Sequence, residues 1–68
     1  MLSARNQFKG MVKSVKLGTV MAEVLIEVNG LEMVSLISRA SATSMNLKNG
    51  DSVTAIIKST EVMVSKEL

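Results

Sequence analysis

The stretch T-V-M-A-E-V-L-I-E-V-N-G, Thr19 to Gly30, decides the fold. Val20, Ala22, Val24, Ile26 and Val28 alternate with Met21, Glu23, Leu25 and Glu27. Successive side chains of a strand point to opposite faces, so this pattern predicts a strand over Thr19–Val28 with one apolar and one mixed face. It runs straight into Asn29-Gly30, two residues that tolerate positive φ and make the tightest hairpin turns. Leu31 to Ile37 therefore returns as an antiparallel third strand, with apolar residues on both of its sides. The chain is built on a β-hairpin.

Upstream, Gln7 to Leu17 reads as a first strand that is not of one phase. Phe8, Gly10 and Val12 share a face, whereas Val15 and Leu17 are apolar at odd positions. A period of two shifts only when a residue is inserted, which predicts a β-bulge near Lys13-Ser14. Gly18 makes the turn into the second strand. Downstream, Ser38 to Asn46 turns to small residues with Ala42 and Met45 at helical spacing, a short helix capped by Ser38 or Ser41. Leu47-Lys48-Asn49-Gly50-Asp51 ends it. Ser52 to Lys58 is a fourth strand with Val53, Ala55 and Ile57 inward. After a Ser59-Thr60-Glu61 corner, Val62 to Ser65 is expected as a fifth. Three strands, one short helix and two strands is the order of an all-β, five-stranded OB-type barrel.

Composition narrows the function. Sixty-eight residues make one small domain, 1–68, near the lower limit for a self-sufficient core. There is no Cys and no His, so disulfides, thiolate metal sites and the usual general base are all excluded. Eight Lys plus Arg against six Asp plus Glu gives +2, and the cations are dispersed rather than gathered into a nucleic-acid stripe. No apolar run approaches the ~20 residues that span a bilayer. Without a secretory pattern, the expected compartment is the cytoplasm. Six scattered Met residues fit gap-filling in a core or between subunits better than a soft-metal site.

Two short runs carry the chemistry: Ser3-Ala4-Arg5-Asn6-Gln7 at the start and Lys58-Ser59-Thr60 near the end. Each combines small hydroxyl residues with one cation, donors suited to a compact oxygen-rich anion. Neither holds a nucleophile–base pair, so the chain is expected to bind rather than react. In an OB-type order the first and fourth strands pair antiparallel, which brings Arg5-Asn6-Gln7 beside Lys58-Ser59-Thr60 at one rim.

The runs S-A-R-N-Q and A-I-I-K-S-T-E-V-M, with G-T-V-M-A-E-V, I-S-x-x-S and L-K-N-G-D between them, resemble the molbindin family of small molybdenum-pterin-binding (Mop) proteins. The resemblance covers nearly the whole chain. It implies a molybdate- or tungstate-binding protein, a homohexamer built as a trimer of dimers, with oxyanion sites between subunits. Carried over by position, the site residues are Ser3, Arg5, Asn6, Lys58 and Ser59, with Ser38 and Ser41 of the I-S-x-x-S segment added. Arg39 and Ala40 depart from relatives, in which an acidic residue is common there. Outward-facing Met21, Leu25 and Ile56 independently suggest covered surfaces. The expected role is storage and buffering of the anion, with no catalytic cofactor and no direct protein ligand to a metal cation. Two alternatives are an OB-type nucleic-acid module, weakened by the single aromatic Phe8, and a molybdate-sensing fragment of a transporter or regulator.

Overall fold

The computed structural model describes residues 4–67; Ser3 lies outside them. Its elements are β1 (Asn6–Leu17), β2 (Met21–Val28), β3 (Leu31–Ser38), α1 (Arg39–Ser44), β4 (Ser52–Ile57) and a 3-10 turn, Ser59–Glu61. Four antiparallel strands form one sheet in the order β3-β2-β1-β4. It is a curled, open sheet: β3 and β4 are its two edges, and among the described residues no ladder joins them.

The β2–β3 hairpin forms as the alternation requires. Asn29 and Gly30 both take positive φ, 49° and 81°, and Val28 pairs with Leu31. Ala22, Val24, Ile26 and Val28 are buried, but Val20 is not. It sits in the bend before β2 begins at Met21, outside the ladder, and is 71% exposed. Nor is β3 covered on both sides. Met33 and Ile37 pack against the core, whereas Val34 and Leu36 on the opposite face, and Leu31 at the start of the strand, are largely exposed.

The bulge in β1 falls where the phase slips: the β1–β2 register jumps between Val12 and Ser14, leaving Lys13 as the inserted residue. Val12, fully buried before the bulge, and Val15 beyond it both meet the core of Val24, Ile26 and Val28. Leu17, at the strand's end, stays exposed. Gly10 is required by packing rather than by dihedral angle. A Cβ there would lie 2.4 Å from the Glu27 carbonyl oxygen and 2.8 Å from a Val28 methyl. The absence of a side chain lets β2 press against β1 and the sheet curl.

Helix α1 starts and stops on local chemistry. Ser38 is its N-cap, its Oγ accepting from the Ser41 amide at 3.0 Å. At the other end Asn46 takes φ 51°, the Leu47 amide donates to the Ala42 carbonyl, and the Asn46 amide donates to the Thr43 carbonyl. These paired bonds around a left-handed residue are a Schellman stop, which turns Leu47 back onto the core. The following loop docks on the bulge: the Gly50 amide donates to the Val12 carbonyl, and the Val12 amide to the Asp51 carbonyl.

The fifth strand is not formed within the chain. After the 3-10 turn, Val62 is extended at φ −91°, ψ 119°, but Val62 to Lys66 pair with no strand among the described residues. The alternation of this segment is that of a strand, and the neighbour it would need is not supplied by its own sheet.

Candidate anion-binding site

The rim forms as the first-to-fourth strand pairing requires. Asn6 pairs with Ile57, Gln7 with Ile56 and Phe8 with Ala55. The ladder ends there: Arg5 and Lys58 are the next residues along their strands and belong to no strand pair, and the Gln7 amide bonds back to the Arg5 carbonyl. Arg5 and Lys58 are exposed, and among the described residues neither belongs to a salt bridge; those present join Lys13 to Glu27 and Lys48 to Asp51.

The backbone around these cations is held by short local bonds. The Gln7 amide donates to the Arg5 carbonyl, and the Gln7 side-chain Nε2 to the Ala4 carbonyl. Asn6 is half-buried between them. On the facing strand, the Lys58 carbonyl accepts from the Glu61 amide at 2.9 Å, which winds Ser59–Glu61 into its 3-10 turn. Ser59 and Thr60 are exposed on that turn, beside Lys58. This end of the sheet thus carries two cations, a carboxamide, two hydroxyls and the Glu61 carboxylate of the turn, with Phe8 as its one aromatic. Phe8 remains 41% exposed although it shares the inward phase of Gly10 and Val12, because the sheet does not close over it.

Ser38 and Ser41 form a second cluster. Their hydroxyls are 2.8 Å apart, and Ser38 also receives the Ser41 amide. The Arg39 amide donates to the Val20 carbonyl. These early helical amides are therefore already occupied. Ser38 pairs with Met21, at the end of the sheet where Leu17 meets Ala22, whereas Asn6 lies at the opposite end of β1. A groove opens between β3 and β4; Lys58 lines it, but Ser38 and Ser41 do not. Met33 to Ile37 of β3 line one wall, and Val53 to Lys58 line the other. Within one chain no hydrogen bond joins Ser38 or Ser41 to the rim among the described residues.

Arg39 is an anchor that the sequence did not reveal. Its Nη1 donates to the Gly18 carbonyl at 2.9 Å, tying α1 to the β1–β2 turn. Thr43 Oγ1 in turn donates to the Arg39 carbonyl. A lone Arg at a helix start has no local pattern that would announce a bond to a residue so distant in the chain.

An open, strand-dominated fold with one capped helix and a cation-and-hydroxyl rim describes a small binding module. The chain belongs to the TOBE domain family, which matches residues 2–64. Within that family it aligns with the molbindins, the Mop proteins. It is 50% identical over 64 residues to molybdenum-pterin-binding protein 3 of Clostridium pasteurianum, covering 93% of this chain and 94% of that one. A molybdate binding protein from Sporomusa ovata superposes with a TM-score of 0.94 at 39% identity, over 97% of this chain and 98% of that one. ModG, a cytoplasmic molybdate-binding protein solved with molybdate bound, gives a TM-score of 0.81 at 41% identity, over 84% of this chain and 41% of its own. These relatives are binding proteins.

Proposed function

We propose that this chain is a non-catalytic molybdate-binding protein, with tungstate as the isosteric alternative. It stores and buffers the oxyanion in the cytoplasm, as a homo-oligomer (a trimer of dimers) whose sites lie at the seams between subunits. The observation that supports the reading is the β1–β4 pairing that ends at Asn6 and Ile57, next to Arg5 and Lys58, neither of which is in a salt bridge among the described residues. A tetrahedral dianion seated between them gives both cations an opposite charge.

The remaining ligands are the sequence neighbours of the two cations and the hydroxyls at the helix start. Asn6 and Ser59 flank the two cations, and Ser3 precedes them in sequence. Ser38 and Ser41, at the other end of the sheet, join the site from a neighbouring copy. The hydroxyl pair suits a shared oxygen: the Ser38 Oγ is already used by the helix, which leaves Ser41 the freer donor. Charge-assisted hydrogen bonds contribute about 1.5–3 kcal/mol each, and micromolar affinity corresponds to about −8 kcal/mol. A handful of such bonds is enough after desolvation. Sulfate, with shorter bonds to oxygen, underfills a site shaped for the larger anion.

The names of the relatives support molybdate as the ligand. The half-exposed Met21 and Ile56 support covered faces in an assembly. No described helix is long and apolar enough to cross a membrane.

Calorimetric titration and thermal melting with molybdate, tungstate and sulfate test the proposal. At a hundredfold excess over Kd, binding stabilises the folded state by about 2.7 kcal/mol. In a domain this small that raises Tm by on the order of 10 °C. Identical melting curves with and without molybdate, and no heat of binding at millimolar anion, would remove the proposal.

A further inference from the structure

The chain contains the dipeptide Asn-Gly twice, at Asn29-Gly30 and at Asn49-Gly50, both times exposed and in a turn. This pair of residues has a chemistry of its own. The glycine amide nitrogen can attack the asparagine Cγ, because no Cβ on the glycine obstructs the approach or the backbone rotation it needs. The N–Cγ bond forms, the Cγ–Nδ2 bond breaks, and ammonia leaves with the amide proton, which closes a succinimide ring. Water then opens the ring. Cleavage of the N–Cγ bond gives aspartate. Cleavage between that nitrogen and the backbone carbonyl carbon gives isoaspartate, whose chain runs through Cγ and is longer by a methylene. In sum, a carboxamide and a water become a carboxylate and ammonium, with no oxidant or reductant.

The fold treats the two copies differently. The Asn49-Gly50 turn is tied down by three bonds. The Gly50 amide donates to the Val12 carbonyl at 2.8 Å, the Asp51 amide to the Lys48 carbonyl at 3.1 Å, and the Lys48 amide to Asp51 Oδ2 at 3.0 Å. The nitrogen that would attack is therefore engaged as a donor to β1. At Asn29-Gly30, among the described residues, the Gly30 amide has no acceptor and the turn hangs on the Val28–Leu31 pair that ends the ladder. Access does not separate the two, since nothing lies within 4 Å of a Cβ built on Gly30 or on Gly50. The hydrogen bonds do.

We infer that Asn29 is a site of spontaneous deamidation in the folded protein, and that the loop docked on β1 guards Asn49 against the same reaction. The hairpin already carries Glu27 and Glu32 as a directly facing pair, with Lys13 bonded to Glu27. A carboxylate at position 29 adds a third acid to this end and lowers the net charge of +2 by one. Isoaspartate also lengthens a two-residue turn whose geometry matches the twist of its strands, so the Val28–Leu31 closing pair is lost. Val28 lies against Gly10 of β1, which carries the change into the sheet. The inference stands apart from the anion and the assembly proposed above.

Peptide mapping by mass spectrometry tests it, on the full chain aged in mildly alkaline buffer at physiological temperature, with and without urea. Relative to its rate in urea, Asn49 is expected to be slowed by folding at least about tenfold more than Asn29, because several hydrogen bonds must open before Gly50 can attack. Equal slowing at the two sites, greater slowing at Asn29, or two sites that both stay intact while the urea-treated chain converts would overturn the inference. An isoaspartyl methyltransferase with a labelled methyl donor reads the longer backbone directly. Label is expected on the Asn29 peptide of the aged folded chain, and its absence there contradicts the isoaspartate product. The Asn29→Asp variant carries the new charge without the methylene. It is expected to melt above the isoaspartate form, and an equal or lower melting point contradicts the loss of the closing pair.

Discussion

The hairpin of β2 and β3, with the bulged half of β1, differs in kind from the rim and the segment beyond β4. In the first region the features of the inward face find their partners inside the chain. Val12, Val24, Ile26 and Val28 bury one another, Asn29-Gly30 turns the hairpin, and Gly10 clears a path for β2. In the second region the features are left without partners. Among the described residues neither Arg5 nor Lys58 is in a salt bridge, and Met63 and Val64 stand in solvent. The difference separates residues selected for folding from residues selected for what the folded chain meets. Substitutions in the two regions should therefore be read by different instruments.

The largest effect is expected at Gly10→Val. Its branched side chain would collide with the Glu27 carbonyl and Val28, which cannot both retreat. Overpacking of this kind costs about 3 kcal/mol, enough to unfold much of a small domain, and chemical denaturation would show it. If Gly10→Val folds with its stability intact, the first region is less tightly determined than its packing implies.

Next come Arg5→Ala and Lys58→Ala. Each removes a charge-assisted contact of about 1.5–3 kcal/mol, so calorimetry should show molybdate affinity falling roughly 10–100-fold for each. Anion-free stability should hold, because among the described residues neither side chain is in a salt bridge. Loss of stability in anion-free buffer would blur the contrast between the regions. Gly30→Ala is expected to cost about 1 kcal/mol, because alanine is strained at φ 81° even with open space around it. Its melting point should drop while affinity per folded subunit stays constant. The smallest effect belongs to Lys13→Ala. Its ion pair with Glu27, 3.2 Å long, is about half in solvent, and a change within about 0.5 kcal/mol is expected.

The first region was legible in the sequence because its signals are local or periodic. The phase slip of β1 located the bulge, Asn-Gly the hairpin, and Ser38 the helix cap. The pairing of β1 with β4 also followed from element order, and with it the meeting of Asn6 and Ile57. What was not legible depends on surroundings outside the pattern. Alternation reports that a side chain is to be covered, but not by what. Leu31, Val34 and Leu36 of β3 and the Val62–Ser65 segment thus read as buried or paired, although the single chain covers neither. Val20 carried the right phase and lay one step outside the ladder. Ser38 and Ser41 show a different limit. A hydroxyl that caps a helix and a hydroxyl that holds an anion have the same sequence signature, and the structure shows the capping bonds.

The inserted residue at Lys13 lets β1 carry one residue more than β2 while Val12 and Val15 both stay on the core side: Val12 sits opposite Ile26, Ser14 opposite Leu25 and Val15 opposite Val24. Removing Lys13 would leave those three pairs as an unbroken ladder, so neither valine would be turned to water. What would go is the local bend and added twist that a bulge imposes, at the point where the Gly50 and Asp51 backbone is bonded to Val12. The surplus residue is a crease in the wall, spent on curvature and not on burial.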